Sequence, residues 1–175
     1  MYRVISLFVC LALVLLAFDV ITPPTYAVAN VPGAAEPASL TAVTDIEEQV
    51  FNAINRVREE NHLAPLSVAK DLRLVARSHS QDMAMREYFS HVSPEGDSLQ
   101  KRITRNGITN WNRIAENIAM NSGYNNPASI AVKGWLESPG HRHNIMDANL
   151  TETGIGVATD AKGRIYLTQL FVRRK

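Results

Sequence analysis

Residues 153–172 read Thr153-Gly154-Ile155-Gly156-Val157-Ala158-Thr159, then Asp160-Ala161-Lys162-Gly163, then Arg164-Ile165-Tyr166-Leu167-Thr168-Gln169-Leu170-Phe171-Val172. Two runs rich in β-branched and aromatic residues flank four turn formers, which predicts an antiparallel hairpin. With alternating side chains, Ile165, Leu167 and Phe171 point one way and Tyr166, Leu170 and Val172 the other, so both faces of the second strand are apolar. Such a sheet needs cover on each side. On the first strand Gly154, Gly156 and Ala158 leave one face nearly bare, which admits the close approach of a helix or loop.

Working upstream, the cover is found in helical patterns. Ile46, Val50, Ile54 and Val57 recur at helical spacing from a Thr44/Glu47 capping pair, with Arg56, Arg58, Glu59 and Glu60 predicted to stay in water. A turn at residues 61–65 ends that helix. Ser67 is read as the cap of a second helix reaching about Tyr88, in which Leu72, Val75, Ala76, His79 and Met83 share a face. Asp97 with Gln100 resembles a third start, with Leu99 and Ile103 inside and Gly107 suited to a left-handed end. Asn126-Pro127 opens a further helix to about Glu137, stopped by Pro139-Gly140. The prediction is an α+β domain, an α-β-α sandwich with a small antiparallel sheet covered by helices on both faces.

At the other end, residues 4–18 are almost unbroken apolar, preceded by Arg3 and followed by Asp19, the length of a signal-peptide core and shorter than a bilayer span. Ala27-Val28-Ala29 offers a small-x-small cleavage site before Asn30. The alternative is an uncleaved anchor extended by Val20, Ile21 and Tyr26, against which Thr22-Pro23-Pro24 argues. The reading is therefore a signal peptide over 1–29, a flexible linker over 30–43 rich in Ala, Pro, Gly, Ser and Thr, and one folded domain over 44–173. It implies a secreted protein, extracellular or periplasmic, with no stable membrane span after cleavage. The single cysteine, Cys10, falls inside the leader, so no disulfide is expected in the mature domain. The formal net charge of +1 gives no long-range field, and nucleic acid is not expected as a partner.

Candidate chemistry gathers at four residues. Glu116, in Ile114-Ala115-Glu116-Asn117-Ile118-Ala119, has apolar neighbours two residues either side and would be buried in an extended segment, where it must find a partner. His91 stands in Phe89-Ser90-His91-Val92-Ser93-Pro94, on a loop after the second helix. Glu137 shares a helical face with Ile130 and Gly134, and His141 follows one interrupted turn later. If they converge, two imidazoles and two carboxylates can ligate a divalent ion, zinc being favoured by nitrogen donors, or act as an acid and base pair. Glu116 and Glu137 are then the catalytic candidates, and His91 and His141 the metal ligands.

The order Phe89-Ser90-His91, Ala115-Glu116-Asn117-Ile118-Ala119 and Trp135-Leu136-Glu137-Ser138-Pro139-Gly140-His141-Arg142-His143-Asn144-Ile145 resembles the CAP superfamily of cysteine-rich secretory, antigen five and pathogenesis-related proteins, also called SCP-like. The likeness spans Ile46 to Val172 and is nearest to bacterial members with a single such domain. It implies an α-β-α sandwich with a central cleft lined by a tetrad, carried over here as His91, Glu116, Glu137 and His141, with Gln169 in a hydrogen-bonding role. The cysteines of eukaryotic members are absent, and Arg142-His143-Asn144 replaces their aromatic-Thr-Gln run, so sterol binding transfers poorly. No settled catalytic activity comes with the family.

Plainer roles stand beside these. His91 and His141 can tie loops to the sheet, Glu116 can accept from backbone amides, and Glu137 can be a solvated helix-end residue. His79 reads as a core histidine, His62 as a turn residue, His143 as a weak partner of His141, and Trp111 and Trp135 as core or cleft wall. Ser93 and Ser138 lack a nucleophile-elbow context. Three functions follow as expectations. They are a secreted binding domain for a lipid, cell-wall fragment or peptide, a zinc-dependent hydrolase or peptidase, and an interaction module meeting a secreted protein through the loops 106–112 and 121–126.

Overall fold

The predicted antiparallel hairpin forms, with Thr159 opposite Ile165. The structure, a computed structural model, describes residues 40–175, so the leader and most of the linker lie outside the described residues. In chain order the elements are α1 (Leu40–Glu60), β1 (Ser67–Val68), α2 (Lys70–Arg86), α3 (Leu99–Arg105), β2 (Trp111–Asn121), α4 (Pro127–Glu137), α5 (Pro139–Met146), β3 (Glu152–Thr159) and β4 (Ile165–Arg174). The sheet runs β1-β3-β4-β2. β3 and β2 flank β4 in antiparallel pairing, and the two-residue β1 adds a parallel edge to β3.

Helices cover both faces. Leu167 and Phe171, with Ile155 and Val157, pack into one core with Val50, Ile54, Val132 and Trp135 from α1 and α4. Leu170 and Val172 meet Leu72, Val75, Ala76 and Ile103 from α2 and α3, and Tyr166 meets Met83. The bare strand face receives α2. A methyl group built on Gly154 would stand 2.2 Å from the Arg73 nitrogen, and one on Gly156 2.0 Å from the Arg77 nitrogen, so the helix backbone rests directly on the strand. Ser80 seals that contact, its hydroxyl donating to the Gly156 carbonyl and accepting from the Thr168 hydroxyl at 2.9 Å each.

Several local readings need correction. α1 starts at Leu40, not after Val43, because Val43 extends the stripe of Ile46 and Val50 onto the core. Thr44 thus lies within the helix rather than at its start. Glu47 is buried and accepts two hydrogen bonds from Arg77 of α2, at 2.8 and 2.6 Å. Arg58, expected in water, is also buried and donates to the carbonyls of Ile145, Asp147 and Leu150. It satisfies acceptors that the end of α5 leaves open. Ser67 belongs to β1, and α2 starts after Ala69 without a side-chain cap. Ser98, not Asp97, caps α3. Gly107 adopts the left-handed conformation expected of it, at φ +79°. Asn126 caps α4 by accepting from Ser129 N at 2.9 Å, with Pro127 in its first turn. Pro139-Gly140 stops α4 but also begins α5, since proline fits a first helical turn as well as it breaks an interior one.

Candidate functional site

β2 is an edge strand, with a neighbour on one side only. Along it Ile114 and Ile118 face the α2 and α3 layer while Ala115 and Ala119 face the α1 and α4 layer. Residues from the two layers meet over that free edge, among them His91, Glu116 and His141.

Glu116 lies on the α2 side with its side chain 3% exposed. One carboxylate oxygen accepts from His91 Nδ1 at 2.8 Å. The other accepts from Arg102 of α3 through Nη2, in an ion pair buried on both sides. Arg102 also donates through Nη1 to the His91 carbonyl at 2.8 Å and the Asp97 carbonyl at 3.0 Å. One guanidinium therefore fixes both the carboxylate and the backbone of the histidine that the carboxylate orients. A carboxylate only accepts, so it is the His91 Nδ1–H that donates to Glu116.

His141 reaches the same place from α5, its ring centroid 6.3 Å from that of His91 and tilted by 40°. Asn117 and Asn144 hold α5 against β2. Asn117 Nδ2 donates to the His141 carbonyl at 3.2 Å, and Asn144 Nδ2 donates to the Asn117 side-chain oxygen at 2.9 Å and the Glu116 carbonyl at 3.2 Å. The Trp135 indole donates to the Ile118 carbonyl at 2.9 Å. Outward-facing carbonyls of the edge strand are thus satisfied by side chains of α4 and α5. Trp135→Phe leaves that carbonyl without a donor and also trims a fully buried ring system. It is expected to lose about 3 kcal/mol or more in urea unfolding, and no loss would show both the bond and the packing to be idle.

Beyond His141 the opening continues as an apolar cavity of about 350 Å3 between β2 and α4, with Phe89, Ile118, Met120, Ile130 and Trp135 in its walls. Phe89, Met120 and Ile130 remain partly exposed there.

Glu137 does not join this group. Its side chain is 67% exposed, lies 3.9 Å from Lys133 one turn back, and lines a different groove between α1 and α4. The face it shares with Lys133 points to solvent once Val132 and Trp135 take the core, and α5 turns away after it. His143 is exposed, and His62 occupies a surface turn with φ 58°. Gln169 is fully buried and donates to the Thr153 hydroxyl at 3.3 Å. Arg102 was not singled out in the sequence. The one signal for it was that a buried Glu116 requires a cationic partner, without an indication of which.

A zinc site uses three or four donors. Among the described residues no group of three or more His, Cys, Asp or Glu side chains is placed to hold a metal ion. Glu116 is committed to Arg102 and His91, which leaves two imidazoles, and these do not fit a zinc centre.

Burial pushes the imidazoles of His79 and His141 below the ordinary value of 6.5, helped by Arg102 for the first and by His91 for the second. As pH falls the unfolded chain takes up these protons first, so their contribution to stability is whole above about 6.5 and lost below it. The urea midpoint is expected to fall between about pH 7 and about pH 5, and to fall less in His141→Gln. An equal fall in both proteins would refute this assignment.

The chain belongs to the CAP family, the cysteine-rich secretory protein family, whose model matches residues 51–171. It is 38% identical over 131 residues to the uncharacterized membrane protein YlbC of Bacillus subtilis, covering 75% of this chain and 35% of that one. It is 35% identical over 146 residues to YkwD of the same organism, covering 81% of this chain and 54% of that protein. The chain thus spans about a third to a half of the length of these curated relatives. Among solved structures, an extracellular protein containing an SCP domain from Bacillus anthracis superposes with a TM-score of 0.68 at 30% identity, over 80% of this chain and 45% of that one.

Proposed function

We propose that this is a secreted binding domain whose cleft, formed by His91, Glu116 and His141, takes an extracellular ligand with an apolar part, such as a lipid, a cell-wall fragment or a peptide. The observation that carries the reading is the continuity of two unlike surfaces. The His141 imidazole, 6.3 Å from a His91 ring that a buried carboxylate holds, lines an apolar cavity walled by Phe89, Met120 and Ile130. Ligand clefts commonly join a few placed polar groups to a largely apolar lining in this way. Among the described residues no serine or threonine hydroxyl is hydrogen bonded to either imidazole ring, so the site lacks the activated nucleophile of acyl transfer. Export is supported by the apolar leader and by the extracellular relative, and no helix of the described residues is long and apolar enough to cross a membrane.

Trp135 lines the cavity and reports on it. The full chain is to be titrated with a long-chain fatty acid, a muropeptide and an apolar peptide, following indole fluorescence. At least one probe is expected to saturate, with affinity falling about tenfold or more in His91→Ala and Ile130→Asp, a loss of about 1.4 kcal/mol or more. Affinity unchanged in both variants would remove the cleft from the function. In a parallel zinc titration stoichiometric uptake is not expected; uptake lost on changing either His91 or His141 would instead favour a metal-dependent hydrolase.

A further inference from the structure

The free edge of β2 keeps one stretch of backbone open. Ser67 and Ala69 donate to the carbonyls of Thr151 and Thr153, so β3 turns its odd-numbered residues to β1 and its even-numbered ones to β4. Gly154 and Gly156 stand opposite Leu170 and Thr168, so β4 turns its even-numbered residues to β3 and its odd-numbered ones to β2. Gln169 and Leu167 stand opposite Asn117 and Ala119, which leaves Glu116, Ile118 and Met120 with their N–H and C=O groups pointing away from the sheet. Asn144 takes up the Glu116 carbonyl and Trp135 the Ile118 carbonyl. Among the described residues the Met120 backbone makes no hydrogen bond outside the ladder, and Met120 is 43% exposed.

The apolar cavity beyond His141 lies over this stretch. Ala119 faces the α1 and α4 layer and Ile118 the α2 and α3 layer, yet both line it, together with Phe89 after α2 and Gly134 of α4. A hollow that reaches residues on both faces of a border strand lies at its edge, where the Met120 N–H and C=O point. A second hollow of about 330 Å3, lined also by Tyr124, meets the first at Met120, Asn121 and Ile130. A methyl group built on Gly134 would have no atom within 4 Å, so the α4 side of the groove is open as well.

A donor and an acceptor side by side select the occupant. A fatty acid carboxylate accepts from an N–H but has no proton for the carbonyl. A single trans amide turns its N–H and C=O in opposite directions. An extended peptide residue turns both to one side, as a neighbouring strand does, and so matches Met120. We propose that the cleft binds an extended peptide, which adds to β2 by main-chain hydrogen bonds at Met120 and lays apolar side chains on Phe89 and Ile130. The proposal rests on the cleft being a ligand site and names the class of ligand. Because the Glu116 and Ile118 carbonyls are already capped, main-chain pairing is confined to the Met120 end of the strand.

The test is a titration of the full chain with a blocked peptide of alternating leucine and serine, with the same peptide N-methylated at its central amides, and with palmitate. Trp135 fluorescence follows binding, and NMR follows hydrogen exchange of the Met120 amide. The unmethylated peptide is expected to saturate the signal and to slow exchange at Met120 by about tenfold or more, and the methylated peptide to bind at least about tenfold more weakly. Met120→Pro removes an N–H that the ladder does not use, a change an edge strand tolerates, and is expected to weaken the peptide about tenfold or more. Should that variant fail to fold, Gly134→Leu places its side chain in the open groove and is expected to abolish peptide binding with the fold intact. Equal binding of the two peptides, or saturation without slower exchange at Met120, would overturn the proposal. Saturation by palmitate with no binding of the peptide would overturn it and leave the cleft standing, whereas silence of all three probes would remove both.

Discussion

Gly156→Ala is expected to be the most destabilising methyl addition the chain can receive, with a loss of about 3 kcal/mol or more in urea unfolding. The new carbon would stand 2.0 Å from the Arg77 nitrogen and 2.2 Å from the Ala76 carbonyl carbon, both backbone atoms of α2. No rotamer change can make room, so the helix must lift off the sheet and draw Val75, Ala76 and Ser80 from their contacts with it. Gly154→Ala is expected to behave alike, with its nearest atom at 2.2 Å. Gly140→Ala, which meets nothing within 4 Å, is the control. If Gly156→Ala unfolds at the control's urea concentration, the close approach of α2 to β3 is wrong.

Arg102→Met is expected to cost about 3–5 kcal/mol, the range for removing one partner of a buried ion pair. The change strands the Glu116 carboxylate and at the same time releases the carbonyls of His91 and Asp97. The double variant Arg102→Met/Glu116→Gln is expected to recover a substantial part of the loss, because the stranded charge is gone. Full additivity of the two single losses would show that the pair does not act as a unit. Cleft binding should remain impaired in the double variant even where stability returns, since His91 Nδ1 then meets an amide in place of a carboxylate.

What could be read in advance depended on the range over which each feature is set. The two-faced hairpin, the glycines on which a helix rests and the Asn126-Pro127 start follow from local periodicity, turn chemistry and steric size, all of which are written in neighbouring residues. The pairs Glu47 with Arg77, Arg58 with Ile145 and Arg102 with Glu116 join residues 30, 87 and 14 positions apart. A charged residue leaves no local sign that tertiary packing will bury it, so Arg58 read as solvent-facing. The two-residue β1 is too short to show a period at all. At the site, His91, Glu116 and His141 were found through motif order. Glu137 was placed by the helical face it shares with Ile130 and Gly134 and by the family tetrad, but α4 ends at Glu137 and its side chain is 67% exposed.

The side chains that seal β2 carry a consequence beyond this molecule. A strand bordering a sheet is a template on which a second chain can polymerise. In this protein the indole of Trp135 and the amide of Asn144 occupy the Ile118 and Glu116 carbonyls that an intruding strand would use. The segment that shapes the cleft is therefore also a guard against fibre growth, and reengineering it for another ligand risks insolubility before any change in affinity can be measured.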